Sequence, residues 1–156
     1  MLFPQQEDFL RRAWQAAVNA DHVWPEFAAC EAALESGYGH SQLATQDNNL
    51  FGCKQHVHPI FGTHSLPTRE FLSGEWVTAE ANWIHYPDWQ ACFADRMSTL
   101  RRLAPKFPHY AAALAAKTGE EYTREVSRTW STDPARAEKV LKIFNAIAGD
   151  WSATQN

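Results

Sequence analysis

The sequence lacks the features that mark disulfide-rich, membrane-spanning and nucleic-acid-binding proteins. Its 156 residues include only three cysteines, Cys30, Cys53 and Cys92, and an odd, widely spaced set is not typical of a disulfide framework. No run approaches the roughly 20 consecutive apolar residues that a spanning helix needs. A net charge of -4 also lacks the basic excess of nucleic-acid binders. We therefore expect three reduced thiols, two of them buried, no membrane segment and no nucleic-acid partner.

The N-terminus, MLFPQQEDFLRRAW, lacks a basic segment followed by an apolar one. The sequence therefore predicts no secretory signal and synthesis in the cytoplasm. A content of 45% hydrophobic and 21% charged residues is that of a globular protein. The length suits one core, so we expect a single domain over residues 1–156 and a monomer.

The spacing of apolar residues predicts a mainly helical α+β fold with one small β-hairpin. The change to a shorter period between residues 67 and 86, with Ser73-Gly74 at the centre, predicts the hairpin. A helix is also expected to begin at Asp133 and Pro134 and to extend to Trp151. The stretch 41–62 is expected to be a loop. The other helices are predicted at 5–20, 26–35, 87–103, 108–116 and 120–128.

The segment ALESGYG ends an alanine-rich helix with a glutamate, Glu35. Unpaired carbonyls and the helix dipole disfavour a negative charge at that end, and the alanine-rich sequence predicts burial. Both effects should raise the carboxyl pKa, as the general acid of a glycosidase requires. Gly37 and Gly39 are expected to end the helix. The alternative is an ordinary solvated glutamate near a helix end.

Three further glutamates, Glu70, Glu75 and Glu80, lie on or near the predicted hairpin. Glycosidases usually place two carboxyl groups across the bond that they cleave. Glu75 follows the turn and Glu80 lies in mid-strand, so both are expected to face water. Residue type and position alone do not separate Glu70 from the other two.

A second polar cluster lies in the stretch CKQHVHPIFGTH and contains Cys53, His56, His58 and His64. A zinc site needs about four nitrogen or sulfur ligands, but this spacing matches no common zinc pattern. The alternative is a buried thiol beside exposed histidines. We predict no metal and no cofactor.

The run AACEAALESGYGHSQLATQDNNLFGCK resembles the signature of the bacterial glucosaminidase family, glycoside hydrolase family 73. Three later stretches resemble the family in the same order, so that the resemblance covers residues 5 to 150. These stretches are Thr68-Arg69-Glu70-Phe71, then Trp83-Ile84-His85-Tyr86 with Phe93-Ala94-Asp95, and finally Trp130-Ser131-Thr132-Asp133-Pro134 with Ala137 and Lys139-Val140.

The resemblance implies a lysozyme-like fold and cleavage of a β-1,4 bond in the glycan strands of peptidoglycan. It makes Glu35 the proton donor and Glu70 the second acidic residue, which either activates water or stabilises positive charge. The chain departs from the family at Trp130, where a tyrosine is usual. An indole has no phenolic hydroxyl, so that role is either lost or moved to Tyr122 or Tyr38.

The substrate-binding residues expected from this resemblance are Tyr38, Asn48, Asn49, Phe51, Tyr122 and Trp130. For Asn48, Asn49 and Phe51, holding a turn and filling the core is an equally good interpretation. The site would act on the cell wall after release or unconventional export. Two other functions stay open. One is a catalytically silent glycan-binding module, and the other is a zinc-dependent amidase or peptidase that uses the Cys53 to His64 cluster.

Overall fold

A computed structural model describes residues 2–56 and 61–153, which form helices and one two-stranded antiparallel sheet. This is the mainly helical α+β arrangement that the sequence predicted. The elements in chain order are α1 (Pro4–Asn19), α2 (Pro25–Ser36), α3 (Gln42–Asp47), β1 (Thr63–Leu72), β2 (Glu75–Ile84), α4 (Trp89–Leu103), α5 (Pro108–Leu114), α6 (Gly119–Trp130) and α7 (Arg136–Ala153).

Helix α2 is the centre of the helical body and contacts α1, α6 and α7. Its alanines at positions 28, 29, 32 and 33 are completely buried, because a helix surface of small apolar side chains admits neighbours on several sides. Phe27 stacks on Phe144 of α7, with 4.0 Å between ring centroids. Gly119 begins α6 against the ring of Phe27, where a Cβ atom would lie only 1.9 Å from a ring carbon. Glycine is therefore required at this close approach.

Two helical regions differ from the sequence prediction for reasons that local residues explain. The expected loop over 41–62 contains the helix α3, which Ser41 caps by accepting a hydrogen bond from the amide of Ala44. This helix is too short to show an apolar period. The last helix begins at Arg136, two residues beyond Pro134, after a turn in which the Asp133 side chain accepts from the amide of Ala135.

The hairpin pairs Thr63 with Ile84 at its base and Leu72 with Glu75 beside the turn. Ser73 and Gly74 have φ angles of 51° and 82°, which fit the tight turns that join antiparallel strands. The predicted hairpin and its Ser-Gly turn are thus confirmed, although β1 begins four residues earlier than residue 67.

Hydrogen bonds tie the base of the hairpin to the helical body. The Asn49 amide donates to the carbonyls of Cys53 and Ile84 at 2.9 and 3.0 Å. Buried Asp47 accepts from ring nitrogens of His64 and His85 at 2.9 and 2.8 Å. At the other end, large apolar side chains face solvent. These are Phe71, Leu72 and Trp76.

The three cysteines are free thiols, with Cys30 and Cys92 buried and Cys53 partly buried, as predicted. In the described part of the chain, no helix combines the length and apolar character needed to cross a bilayer.

Candidate active site

Glu35 lies in the last turn of α2, one residue before its end at Ser36. Gly37 takes a left-handed conformation with φ 57° and so ends the helix, as predicted. The Ser36 hydroxyl donates to the carbonyl of Ala32 and accepts from the amide of Gly39, at 2.6 and 2.9 Å. These bonds fix the helix end that carries Glu35. Its side chain keeps 18% of its surface exposed.

The two carboxyl oxygens of Glu35 have different partners. Oε1 accepts two hydrogen bonds from Arg136, from Nε at 2.9 Å and from Nη2 at 2.6 Å. Oε2 accepts one hydrogen bond from the indole Nε1 of Trp130 at 3.1 Å. The carboxyl group is therefore held in one orientation by a guanidinium on one side and an indole on the other.

Burial and charge act against each other on Glu35. Burial raises the pKa of its carboxyl group, and the positive charge of Arg136 offsets part of that rise. The negative charge of Glu31 adds to the rise. The resulting pKa lies above the ordinary value of a glutamate. This is the direction that a proton donor needs.

Glu31 lies one helical turn before Glu35 and is completely buried. Arg96 of α4 donates to both of its carboxylate oxygens, at 3.1 and 2.7 Å, and Arg136 donates to Oε2 at 2.7 Å. The hydroxyl of Tyr122 also donates to Oε1. The two arginines hold the pKa of Glu31 well below its usual range, which outweighs the effect of burial. Glu31 is thus an ionised anchor behind Glu35.

Arg96 connects this charge network to two aromatic rings. Its guanidinium carbon lies 4.3 Å from the ring centroid of Trp130 and 4.6 Å from that of Phe51. Its Nη1 also donates to Nε2 of His22 at 3.2 Å, while Nδ1 of His22 donates to the carbonyl of Val23. Burial and the positive charge of Arg96 lower the pKa of His22 to about 4, so that this ring is neutral.

A groove runs across the surface at Glu35. Its middle section has a volume of about 410 Å³ and includes Glu35, Phe51, Trp130 and Arg136. A second depression of about 410 Å³ shares Phe51 and Trp130 with it. A third, of about 680 Å³, shares Ser131 and Asp133 with the middle section. The second and third depressions therefore adjoin the one at Glu35.

Residues from several elements complete the lining of the two adjoining depressions. The second depression is also lined by Gly52, Cys53, Lys54, His56, Thr99, Arg102 and Tyr110. The third is also lined by Arg124, Ser127, Arg128, Thr129, Thr132, Pro134 and Ala137.

The structure brings two of the six expected substrate-binding residues, Phe51 and Trp130, together with Glu35. Tyr38 is partly buried and packs edge-on against Phe9 of α1, with ring centroids 6.1 Å apart. Tyr122 is completely buried in the charge network, so a substrate in the groove cannot reach it. The expectation that Tyr122 binds substrate does not fit this position.

The two asparagines hold the turn after α3. Asn48 adopts φ 50° at the end of that helix and donates to the carbonyl of Tyr86 at 3.1 Å. The side chain of Asn49 is buried and makes the bonds to Cys53 and Ile84 described above. Their contacts match the structural alternative that the sequence left open.

The structure describes the side chains of two of the three hairpin glutamates, Glu75 and Glu80. Glu70 lies on β1 opposite Val77, and its side chain lies outside the described part of the structure. Its distance from the Glu35 carboxyl, and hence its role, stays a prediction. Glu75 is exposed beside the turn, and exposed Glu80 accepts from the Ser65 hydroxyl at 2.8 Å.

The predicted histidine cluster is divided between different partners. His64 binds Asp47, and Nε2 of His56 lies 3.3 Å from Asp95. His58 lies outside the described residues. Within residues 2–56 and 61–153, no three His, Cys, Asp or Glu side chains come together in a group that could hold a metal ion.

Sequence reasoning missed three members of the site, Glu31, Arg96 and Arg136. One signal was available, because Glu31 and Glu35 lie one turn apart on the same alanine-rich helix. A buried carboxylate there requires a cation. The sequence does not indicate which arginines supply it, because they lie 65 and 105 residues further along the chain.

A carboxyl group with a raised pKa, at the end of a central helix and beside a surface groove, is the arrangement expected of a lysozyme-like glycoside hydrolase domain. The sequence model of the glucosaminidase family, described as mannosyl-glycoprotein endo-beta-N-acetylglucosaminidase, matches residues 11–148. The chain belongs to this family.

Individual relatives agree with this membership. The chain is 29% identical over 148 residues to a probable N-acetylmuramidase of Lactococcus lactis subsp. cremoris (strain MG1363), a match that covers 87% of this chain. It spans only 32% of that relative's length. Its fold matches the catalytic domain of the autolysin Auto from Listeria monocytogenes, with a TM-score of 0.80 at 24% identity, over 94% of this chain and 86% of that one. Its fold also matches a C-terminally truncated glycoside hydrolase domain from Salmonella typhimurium FlgJ, with a TM-score of 0.72 at 26% identity. This match covers 92% of this chain and 98% of that one.

Proposed function

We propose that this chain hydrolyses β-1,4 glycosidic bonds in the glycan strands of peptidoglycan, as an endo-β-N-acetylglucosaminidase. The observation that carries the proposal is a partly exposed carboxyl group, Glu35, which lines a surface groove, is held by Arg136 and Trp130, and has a raised pKa. Family membership and the similarity to an autolysin domain support the substrate class. Such a substrate places the site of action at the cell wall.

Glu35 is the general acid in this proposal. A proton passes from its carboxyl group to the glycosidic oxygen, which also takes the electron pair of the breaking carbon–oxygen bond. Positive charge develops at the anomeric carbon, and water adds there. The proton that the water loses restores the acid form of Glu35, directly or through solvent. Trp130 is partly exposed beside Glu35 and can pack against a sugar ring, while buried Phe51 supports it from below at an edge-on contact of 6.1 Å.

Glu70 assists from the hairpin in this proposal. Direct attack by its carboxylate requires a separation of about 5–5.5 Å from the Glu35 carboxyl, whereas about 6.5–9.5 Å leaves room for an attacking water. If Glu70 is the second group, Glu70→Gln should lower turnover with little change in binding to purified walls. An unchanged turnover would remove Glu70 from the site.

The first test is Glu35→Gln, which keeps the shape of the side chain and removes the acid. We expect the release of new reducing ends from purified cell walls to fall by roughly 10²–10⁴-fold. Glu75→Gln, on the exposed hairpin turn, is the matched control and should keep wild-type activity. Wild-type activity in a folded Glu35→Gln variant would reject the assignment.

The choice of bond needs a second experiment. The matching family is named for glucosaminidase activity, whereas the Lactococcus relative is named as an N-acetylmuramidase. Digestion products are reduced with borohydride and analysed by mass. Reduced N-acetylglucosamine at the new ends is the expected result, and reduced N-acetylmuramic acid would make the enzyme a muramidase instead.

The ion pair between Arg136 and Glu35 favours a second candidate, a glycan-binding module without catalysis. A neighbouring guanidinium stabilises the ionised carboxylate, which cannot donate a proton. Wall binding by the wild-type protein without any release of reducing ends would support this alternative.

A further inference from the structure

One nitrogen atom of Arg136 connects Glu31 and Glu35 of α2. Its Nη2 donates to Oε2 of Glu31 at 2.7 Å and to Oε1 of Glu35 at 2.6 Å. Its Nε reaches Oε1 of Glu35 as well, and its Nη1 donates to the hydroxyl of Ser127 at 2.8 Å. The side chain is only 2% exposed. The guanidinium is therefore fixed from three directions while it holds Glu35.

The placement of Arg136 is unfavourable without these partners. It begins α7, where the helix dipole disfavours a cation, and burial of an unpaired guanidinium is costly. Glu31 is buried and ionised, so it can compensate this charge whether or not Glu35 holds a proton. Glu31 thus keeps Arg136 in place during a cycle in which Glu35 loses and regains its proton.

The other charged and titratable groups facing Glu35 do not replace this pair. Arg96 is already engaged by both oxygens of Glu31, and Lys139 is paired with Asp133 at 2.6 Å. Cys53 and Tyr110 have raised pKa values because of burial and are neutral near pH 7.

We propose that Arg136 and Glu31 are the positioning pair of this active site. Arg136 fixes Oε1 of Glu35, so that Oε2, beside the Trp130 indole, carries the proton that is transferred. Glu31 holds Arg136 and offsets its charge. After the transfer, the two N–H groups of Arg136 stabilise the Glu35 carboxylate. This inference rests on the proposed role of Glu35.

The charges of Arg136 and Glu31 have opposite effects on the pKa of Glu35. Opposite shifts of this pKa in variants of the two residues would not be expected if the residues only stabilised the fold. Loss of the Arg136 charge should make the proton harder to remove, and loss of the Glu31 charge should make it easier to remove. The readout is the NMR shift of the Trp130 indole Nε1–H, which donates to Glu35, followed against pH in the whole chain without substrate. Trp130→Phe assigns the signal.

We expect Arg136→Gln to move the midpoint of this titration upward by about one pH unit or more, and Glu31→Gln to move it downward. The high-pH limb of the kcat/KM profile should move with it. Arg136→Lys should return the midpoint toward the wild-type value while kcat stays low, because an ammonium cannot make the two-pronged contact. Arg12→Gln, at an exposed arginine paired with Asp8 on α1, is the control and should leave the midpoint unchanged.

Equal midpoints in wild type and both variants, or shifts in the same direction, would overturn the inference. If Glu31→Gln does not fold, the contrast between Arg136→Gln and Arg136→Lys decides the question alone. An active Glu35→Gln variant would instead reject the proposed function, whatever the titration shows. If Glu35→Gln is inactive but Arg136→Gln and Glu31→Gln titrate with the wild-type midpoint, only the positioning pair is rejected.

Discussion

The central helix α2 and the hairpin hold their acidic side chains in opposite ways. Glu31 of α2 has no exposed surface and is bound by two arginines and a tyrosine. Glu75 and Glu80 of the hairpin are exposed. Burial in the helical body can therefore shift pKa values, whereas solvent screens charge at the exposed hairpin positions. Glu35, the proposed proton donor, belongs to the body.

The difference extends to how each region is built. The hairpin takes its register from a local Ser-Gly turn and is tied to the body at its base. The environment of Glu35 depends on Arg136 and Trp130, which lie 101 and 95 residues away in the chain. One region is thus specified locally and the other by tertiary packing.

Removal of Arg96 should have the largest effect on stability. Arg96→Met leaves buried Glu31 without the guanidinium that binds both of its oxygens, and breaking a buried pair costs about 3–5 kcal/mol. Urea unfolding measures this loss. The exposed control Arg124→Met should unfold at nearly the wild-type urea concentration. Equal midpoints for the two variants would mean that the buried network does not stabilise the body.

The free energy of unfolding should depend on pH through the protonation of His22. Its folded pKa is about 4, against 6.5 for an unperturbed histidine, so the unfolded chain binds more protons between these values. Stability should therefore fall by about 3 kcal/mol as the pH decreases from 6.5 to 4. His22→Asn should flatten this part of the curve. The exposed control His40→Asn should retain the slope, and retention by both variants would exclude His22 as its cause.

Loss of Asp47 should loosen the hairpin alone. Asp47→Ala removes the acceptor shared by His64 and His85, a loss of about 1–3 kcal/mol in local stability. Hydrogen exchange should accelerate at the amide of Ile84, which donates to Cys53 at the hairpin base. The amide of Ala32 in α2 should be unaffected. Equal acceleration at both amides would show that the two regions unfold together.

The smallest effect is expected at the exposed end of the hairpin. Phe71 is 59% exposed, so Phe71→Ala should change the free energy of unfolding by no more than about 0.5 kcal/mol. The matched control is Phe93→Ala in the buried core, which should cost about 3–5 kcal/mol. A large loss for Phe71→Ala would contradict the local character of the hairpin.

The sequence predicted the parts of the fold that depend on local patterns. The apolar period located the long helices, and Ser73-Gly74 located the hairpin turn. Helix α3 escaped prediction because six residues are fewer than two turns. The helix-end position of Glu35 likewise followed from alanine-rich neighbours and a Gly37 cap.

The partners of Glu35 were only partly predictable. Phe51 and Trp130 were found through motifs, whereas Arg136 stands in an ordinary-looking helix start. Tyr122 was instead predicted to bind substrate but is buried. Its neighbours in the sequence do not distinguish a buried hydroxyl that binds Glu31 from one that lines a groove. Pairing between distant buried charges is decided by packing geometry, which local sequence does not encode.

The pKa of the Glu35 carboxyl group tests the central claim most directly. It can be measured in the folded protein by NMR titration of ¹³C-labelled glutamate side chains, with Glu35→Gln to assign the signal. Because burial outweighs the charge of Arg136, we predict a pKa above the ordinary value of about 4.3. Activity should then be lost as the pH rises through that same value. A Glu35 pKa at or below 4.3 would contradict the account, since the site would hold a carboxylate and no proton to donate.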